Sequence, residues 1–293
     1  MAITEVATHD IELERGRPAT PRELANRAEW IRLQSIEMIG RAGFGHYSST
    51  FSCAEIYSVL YYHTLRLRPT EPGWPDRDRF LLGKGHAAVG LWPIYADLGF
   101  YPESWLEEYG QITARLTDHP NMVTVPGVDF SSGSLGHNLS VSVGMALAAR
   151  AQGRDFRTFI VTGDGELQEG QVWEAAMAGS HFGLGNLICI VDANGFSGGD
   201  ATSATMNIEP IAGRFESFGW HTVEIDGNDI EQVIDTFDNL PAPESTKPTC
   251  IVARTKKGAG VSFMENEPQA WHLGSLKGDE LTLAVREIEG RIQ

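Results

Sequence analysis

Cysteine is scarce in this chain: three residues among 293, with no two in a Cys-x-x-Cys pair. That scarcity excludes a disulfide framework and the common zinc and redox spacings. Cys53, Cys189 and Cys250 each lie in apolar surroundings, the pattern of buried thiols in a reducing compartment. Basic residues are short as well, 23 against 39 acidic ones, for a net charge of −16. Nucleic-acid binding would lack its usual electrostatic driving force. No apolar run approaches the length of a membrane span. The opening residues have no basic-then-apolar leader pattern. Repeats and low-complexity segments are missing too. These absences together predict a cytoplasmic protein with no membrane and no nucleic-acid partner. The Asn138-Leu139-Ser140 sequon carries no weight without a secretion signal.

What is present is an ordinary globular composition, 42% hydrophobic and 21% charged. The length allows one large or two modest cores. Residues 1–20 show no periodicity and read as an N-terminal arm, leaving 21–293 as one α/β domain. Leu24, Ala28, Ile31 and Met38 mark a long amphipathic helix. Ser52-Cys53-Ala54-Glu55 reads as a capping box opening a second helix through Leu65. Arg79 to Leu82 reads as a strand entering a Gly83-Lys84-Gly85-His86 turn. Residues 87–99 read as helix, with Pro93 forcing a kink or an early start. Residues 111–137 form a long irregular stretch, and loops of that length are usually functional or disordered. Leu139 to Ala149 is apolar almost all round, as a buried helix would be. Farther on, helices near 209–218 and 229–239 alternate with strands Trp220–Ile225 and Thr249–Arg254. A loop over 256–278 and a final helix follow.

The most informative stretch is Phe159 to Ser197. An apolar strand ends at Gly163-Asp164-Gly165, a helix-like run follows, and a second apolar strand, Leu187 to Val191, ends at Asn194-Gly195. The two glycines of the first turn permit unusual backbone angles and close approach of a ligand. A right-handed strand–helix–strand unit brings both carboxyl ends to one edge of a parallel sheet, where ligands bind in such folds. A carboxylate and an amide oxygen there suit a hard cation, Mg2+ or Ca2+, rather than zinc.

These words resemble the thiamine-diphosphate motif. The run Gly163-Asp-Gly-Glu-Leu-Gln-Glu169-Gly-Gln-Val-Trp-Glu174-Ala-Ala is similar specifically to transketolase. The resemblance extends from about Asn26 to His272 and is to the amino-terminal half of that family, which some organisms make as a separate subunit. It implies a thiamine-diphosphate-binding fold with a mostly parallel central sheet flanked by helices. It also implies thiamine diphosphate held with Mg2+ (or Ca2+ or Mn2+), Asp164, Asn194 and the Phe196 carbonyl being the metal ligands. The Gly163–Gly165 turn would meet the diphosphate through the Gly165 amide, and Gly133-Ser134-Leu135 would line the thiamine rings. Four loop histidines fall in matching words. By the resemblance, His86 and His272 contact the diphosphate, His272 also lies near the reacting sugar, and His46 and His119 hydrogen-bond substrate hydroxyls. Imidazole suits that work because it exchanges protons near neutral pH. Glu169 and Glu174 match acids at the contact between subunits.

The implied activity is transfer of a two-carbon ketol unit from a ketose, free or phosphorylated, to an aldehyde. The family's activating glutamate, and most of the basic residues that hold sugar phosphate, belong to the carboxy-terminal half. The expected partner is therefore a pyrimidine-binding subunit in a heterotetramer. Some words depart from the family: Gly45-His46-Tyr47-Ser48 replaces Gly-His-Pro-Gly, His137-Asn138 replaces Gln-Gly, and Phe196-Ser-Gly-Gly-Asp200 follows Asn194-Gly195. Tyr47 adds bulk and a hydroxyl, and replacing a glycine can crowd a cavity. The expectation is that these changes together alter the pocket and that the donor or acceptor differs from the ordinary pentose phosphates. Rival readings are half of another thiamine-dependent enzyme (an acyloin synthase or 2-oxoacid dehydrogenase component) or a noncatalytic cofactor-binding regulator.

Overall fold

The computed structural model describes residues 19–293. The predicted arm falls outside the described residues except at Ala19 and Thr20. Thr20 already belongs to the domain, because its side chain and that of Glu23 form a reciprocal cap on α1, Pro21–Ala42. A Pro at the helix start and Gly43 in a left-handed conformation (φ 81°) at its end complete the boundaries. In chain order there follow α2 (Tyr47–Phe51), α3 (Ala54–Val59), β1 (Arg79–Leu82), α4 (Leu91–Asp97) and α5 (His137–Ala151). Next come β2 (Thr158–Gly163), α6 (Gly170–His181) and β3 (Leu187–Ala193). A small hairpin, β4 (Phe196–Ser197) and β5 (Asp200–Ala201), leads into the short α7 (Thr202–Thr205). The chain then runs through α8 (Ile211–Ser217), β6 (His221–Asp226), α9 (Ile230–Asp238), β7 (Thr249–Arg254), α10 (Ser262–Asn266) and α11 (Gly278–Glu289).

The five main strands are all parallel, in the order β1-β2-β3-β7-β6. Every residue of β2 and β3 is buried, as expected where helices cover both faces of a parallel sheet. Side chains alternate between two apolar layers. Phe80, Phe159, Val161, Ile188, Ile190 and Ile251 face one layer, with α1 and α3. Leu81, Ile160, Cys189, Val191, Cys250 and Val252 face the other, with α5, α6 and α8. The three cysteines are free and buried. Strand order reverses between β3 and β7, and an open sheet offers its ligand crevice at the carboxyl ends beside such a switch.

Several expectations need correction. The Ser52–Glu55 capping box does not form: helix begins earlier, at Tyr47, breaks at Ser52–Cys53, and resumes without a side-chain cap. The two side chains are drawn into stronger polar contacts instead. Ser52 donates to Asp192 at 2.7 Å, and Glu55 accepts from the buried Arg32 at 2.7 Å. Residues 85–90 form a 3-10 turn, so α4 starts at Leu91 and Pro93 sits in its first turn, where the missing N–H costs nothing. Helix α5 is not buried all round: Leu139, Val143, Ala146 and Ala149 pack inward, while Gly144 and Ala148 are exposed. The 256–278 loop contains α10.

The long 111–136 segment is tied to the sheet by Asp129. Its carboxylate accepts from Arg77 at 2.9 and 2.6 Å and from the Phe80 amide of β1 at 2.9 Å. Removing one partner of a buried pair leaves the other charge uncompensated. Asp129→Ala should destabilise the chain by about 3 kcal/mol. Denaturant unfolding reads this directly, and an unchanged midpoint would contradict it.

Candidate functional site

The carboxyl edge of the sheet collects the polar residues. Lys84, after β1, is buried and ion-paired with Asp192 near the end of β3. Burial works against the Lys84 charge, but Asp192 overcomes it and holds the ammonium above its usual range. Asp192 is fully buried and also accepts from Ser52 at 2.7 Å, from the Asn194 amide at 3.0 Å and from Thr255. The Lys84 ammonium further donates to the Ser49 carbonyl at 2.6 Å. One carboxylate thus joins the loops after β1, β3 and β7 to α2.

Asp164 follows β2 on the neighbouring strand. Its two oxygens accept from the Gly165 amide at 2.9 Å and the Gly195 amide at 2.7 Å. It makes no ion pair with a described Lys or Arg. Burial first, and then the Asp192 charge, push its carboxyl up to about 7. Asn194 turns its amide N–H2 toward Asp192, while its oxygen accepts from the Phe196 amide at 3.1 Å. Gly165 packs against the β4 hairpin so closely that a Cβ would lie 2.9 Å from the Ser197 Cα. The predicted metal residues Asp164, Asn194 and Phe196 are therefore brought together. They fit a divalent cation: a buried, under-compensated carboxylate beside an amide oxygen calls for positive charge and offers hard oxygen ligands. Among the described residues no group of three or more His, Cys, Asp or Glu could hold a metal ion.

Four histidines form a cluster. His46 lies 4.9 Å from His86, 5.1 Å from His272 and 6.4 Å from His119, measured between ring centroids. The Gly133 loop joins them, since a Cβ on Gly85 would meet Ser132, His119 and the Gly133 amide within 2.8–3.1 Å. Gly133, Ser134 and Leu135 are exposed beside this cluster. Burial and the charge of Lys84 hold the His86 ring well below its usual range. Burial and Lys257 push His272 down to about 4. The His272 Nδ1 is buried without a hydrogen-bond partner.

Besides Lys84 and Asp192, three further contributors escaped the sequence reading. Lys257 is buried, donates to the Gly198 carbonyl and lies 5.2 Å from the Phe196 ring centroid. Burial and Lys84 push it down to about 8, and its charge reaches both Asp164 and His272. Glu166 is buried and accepts from the Gly136 amide at 2.9 Å and the Gly163 amide at 3.1 Å, joining the Gly133 loop to β2. Asp118 stands beside His46 and His119. A signal existed for Lys84 and Glu166, which lie inside the quoted words; nothing near Lys257 marked it.

Tyr47 does not crowd the pocket. It is fully buried, and its hydroxyl accepts from the Leu276 amide at 3.1 Å. With Gly274 donating to the Gly45 carbonyl at 3.0 Å, it fastens the His272 loop to the His46 turn. Asn138 is buried too, donating to the Leu82 carbonyl at 2.8 Å and Ser132 at 2.7 Å. His137, Glu169 and Glu174 are exposed.

A parallel sheet with an under-compensated carboxylate at its carboxyl edge and an imidazole cluster on the surrounding loops is the arrangement of a ligand-binding α/β domain. Residues 24–290 match the family described as transketolase, thiamine diphosphate binding domain, and the chain belongs to that family. It is 36% identical to an apulose-4-phosphate transketolase subunit of Phocaeicola vulgatus, over 91% of this chain and 94% of that protein. It is 34% identical to the 6-deoxy-6-sulfo-D-fructose transketolase subunit SqwG of Clostridium sp., over 91% and 96%. The crystal structure of transketolase from Campylobacter jejuni superposes with a TM-score of 0.84 at 30% identity, over 91% of this chain but 42% of that one.

The histidine positions carry a pH signature. A ring whose folded pKa lies below its free value of 6.5 is protonated more readily when unfolded. Its contribution to stability is present above about 6.5 and is lost as pH falls toward about 4. In the metal-free chain this loss is opposed by Asp164, whose raised carboxyl gains stability as pH falls from about 7. The His272 contribution is therefore read as the difference between parent and His272→Gln, the variant losing less stability toward pH 4. Denaturant midpoints taken across that range measure it; an identical slope in the variant would contradict the assignment.

Proposed function

We propose that the chain is the diphosphate-binding subunit of a two-component transketolase, moving a two-carbon ketol unit from a ketose to an aldehyde. The observation that carries this is the under-compensated Asp164 carboxylate lying beside Asn194, below a cluster of four histidines. Thiamine diphosphate, when bound, supplies the electron sink for breaking and making a carbon–carbon bond. Asp164, Asn194 and the Phe196 carbonyl would hold Mg2+ against its diphosphate. The Gly165 amide, Lys257 and His86 would meet the remaining phosphate oxygens. Gly133, Ser134 and Leu135 would line the thiamine rings. His272, His46 and His119 would hold and exchange protons with substrate hydroxyls. The low range of His272 suits it to accept a proton only transiently.

Partner dependence is part of the proposal. The two relatives named as subunits are matched over nearly their whole length, and the one-chain enzyme over less than half. Helix α6 exposes Glu174 and Met177, and Phe182 just past its end is exposed as well, as a surface awaiting a protein neighbour would be. The reading is a pyrimidine-binding subunit docking there to form a heterotetramer. Among the described residues no helix is long and apolar enough to cross a membrane.

Calorimetric titration of the assembled subunits with thiamine diphosphate and Mg2+ tests the proposal. Asp164→Ala should weaken cofactor binding by about 100-fold or more and abolish ketol transfer. The isolated chain should show no transfer until the partner is added. Cofactor binding indifferent to Asp164, or turnover of pyruvate in place of ketoses, would overturn it.

A further inference from the structure

Asp118 occupies a position that the reading above does not use. It sits between two of the histidines, with its oxygens 3.0 and 3.1 Å from the His46 Nδ1. The His119 Nδ1 is 3.4 Å from the same Oδ2. The buried Tyr109 hydroxyl donates to Oδ1 at 3.2 Å. The turn itself is fixed by Trp92, which donates to the Thr117 carbonyl at 2.9 Å, and by the Thr117 hydroxyl, which donates to the His119 carbonyl at 2.7 Å. One carboxylate, anchored from below, therefore faces the Nδ1 of two rings whose centroids are 6.4 Å apart.

An ionised carboxylate only accepts hydrogen bonds. A neutral imidazole beside it must carry its proton on the facing nitrogen, which leaves the other nitrogen a bare acceptor. We propose that Asp118 is a positioning residue that holds His46 as the Nδ1–H tautomer through a hydrogen bond and biases His119, 3.4 Å away, toward the same tautomer by its charge, so that each presents an Nε2 lone pair to a substrate hydroxyl. Neither Nε2 has a hydrogen-bond partner among the described residues. The two rings are then a matched pair of acceptors, suited to a polyhydroxy ketose that donates two O–H groups. The same carboxylate stabilises whichever ring takes up a proton. It opposes the effect of burial on His119, whose ring stays below its usual range all the same.

The inference rests on the ketol-transfer reading for its substrate and stands apart from it for the tautomers. Nitrogen-15 ring spectra of the full chain at slightly alkaline pH should show a protonated Nδ1 and a bare Nε2 on both histidines. In Asp118→Ala both rings should shift toward Nε2–H. In Asp118→Asn one acceptor oxygen becomes an N–H2 donor, so at least one of the two rings should lose its Nδ1–H. With the partner subunit present, Asp118→Ala should lower kcat at least about tenfold with a smaller change in KM, and Asp118→Asn should recover part of it. Nε2–H on His46 in the parent chain, unaltered spectra in Asp118→Ala, or altered spectra with unaltered kcat would each overturn the proposal. A parent assembly that transfers no ketol unit would count against the functional reading, and the ring spectra would still judge Asp118.

Discussion

Asp192 is the constraint on which the site depends. It is a fully buried carboxylate one step before the end of β3, where the sheet order reverses. Alone, such a charge would be costly to bury. Here Lys84 neutralises it, and Ser52, Asn194 and Thr255 saturate its oxygens. The ion pair is weak evidence for stability, because desolvation offsets much of the attraction. Its value is geometric. It holds the turns after β1, β3 and β7 in one register. It also draws the Asn194 N–H2 group inward, so that the amide oxygen faces the other way, toward the 195–196 turn.

That arrangement explains why neighbouring carboxylates on one sheet edge differ. Asp192 has its own cation in direct contact; Asp164, one strand away, has two backbone amides and the more distant charges of Lys84 and Lys257 against its burial and the repulsion of Asp192. The asymmetry leaves one site satisfied and the other short of positive charge. On the proposed reading, Mg2+ supplies that charge and the cofactor's diphosphate completes its ligands. The histidine rim is tuned in the same direction. Burial and two lysines keep His86 and His272 neutral, and neutral rings can accept protons. Lys257 is the hinge between the two zones, felt by Asp164 below and His272 above.

Much of this was legible in the chain. The apolar runs at 159–161 and 187–191 announced buried parallel strands because nothing polar interrupts them, and the Gly-Asp-Gly and Asn-Gly turns marked their ends. The Thr249–Arg254 strand was readable for the same reason. The breaks in the helices were not, because side chains such as Ser52 and Glu55 serve partners more than twenty residues away, which no local pattern records. The role of Tyr47 was misread on the same account: whether an aromatic side chain faces a cavity or the core depends on the backbone direction of a turn. Lys257 was missed because its partners lie on other loops and its own neighbours form no motif; Asp118 stands in the same word as His119, but its contact with His46 lies seventy-two residues away and no local pattern records it.

The central claim is that Asp164 and Asn194 grip a cation that binds the cofactor's diphosphate. The most direct test is a crystal structure of the assembled subunits with thiamine diphosphate and Mn2+, located by anomalous scattering. The account predicts one strong peak bonded to Asp164, Asn194, the Phe196 carbonyl and two phosphate oxygens, at roughly 2.0–2.3 Å. A cofactor bound with no peak there, or a peak ligated by other residues, would contradict it.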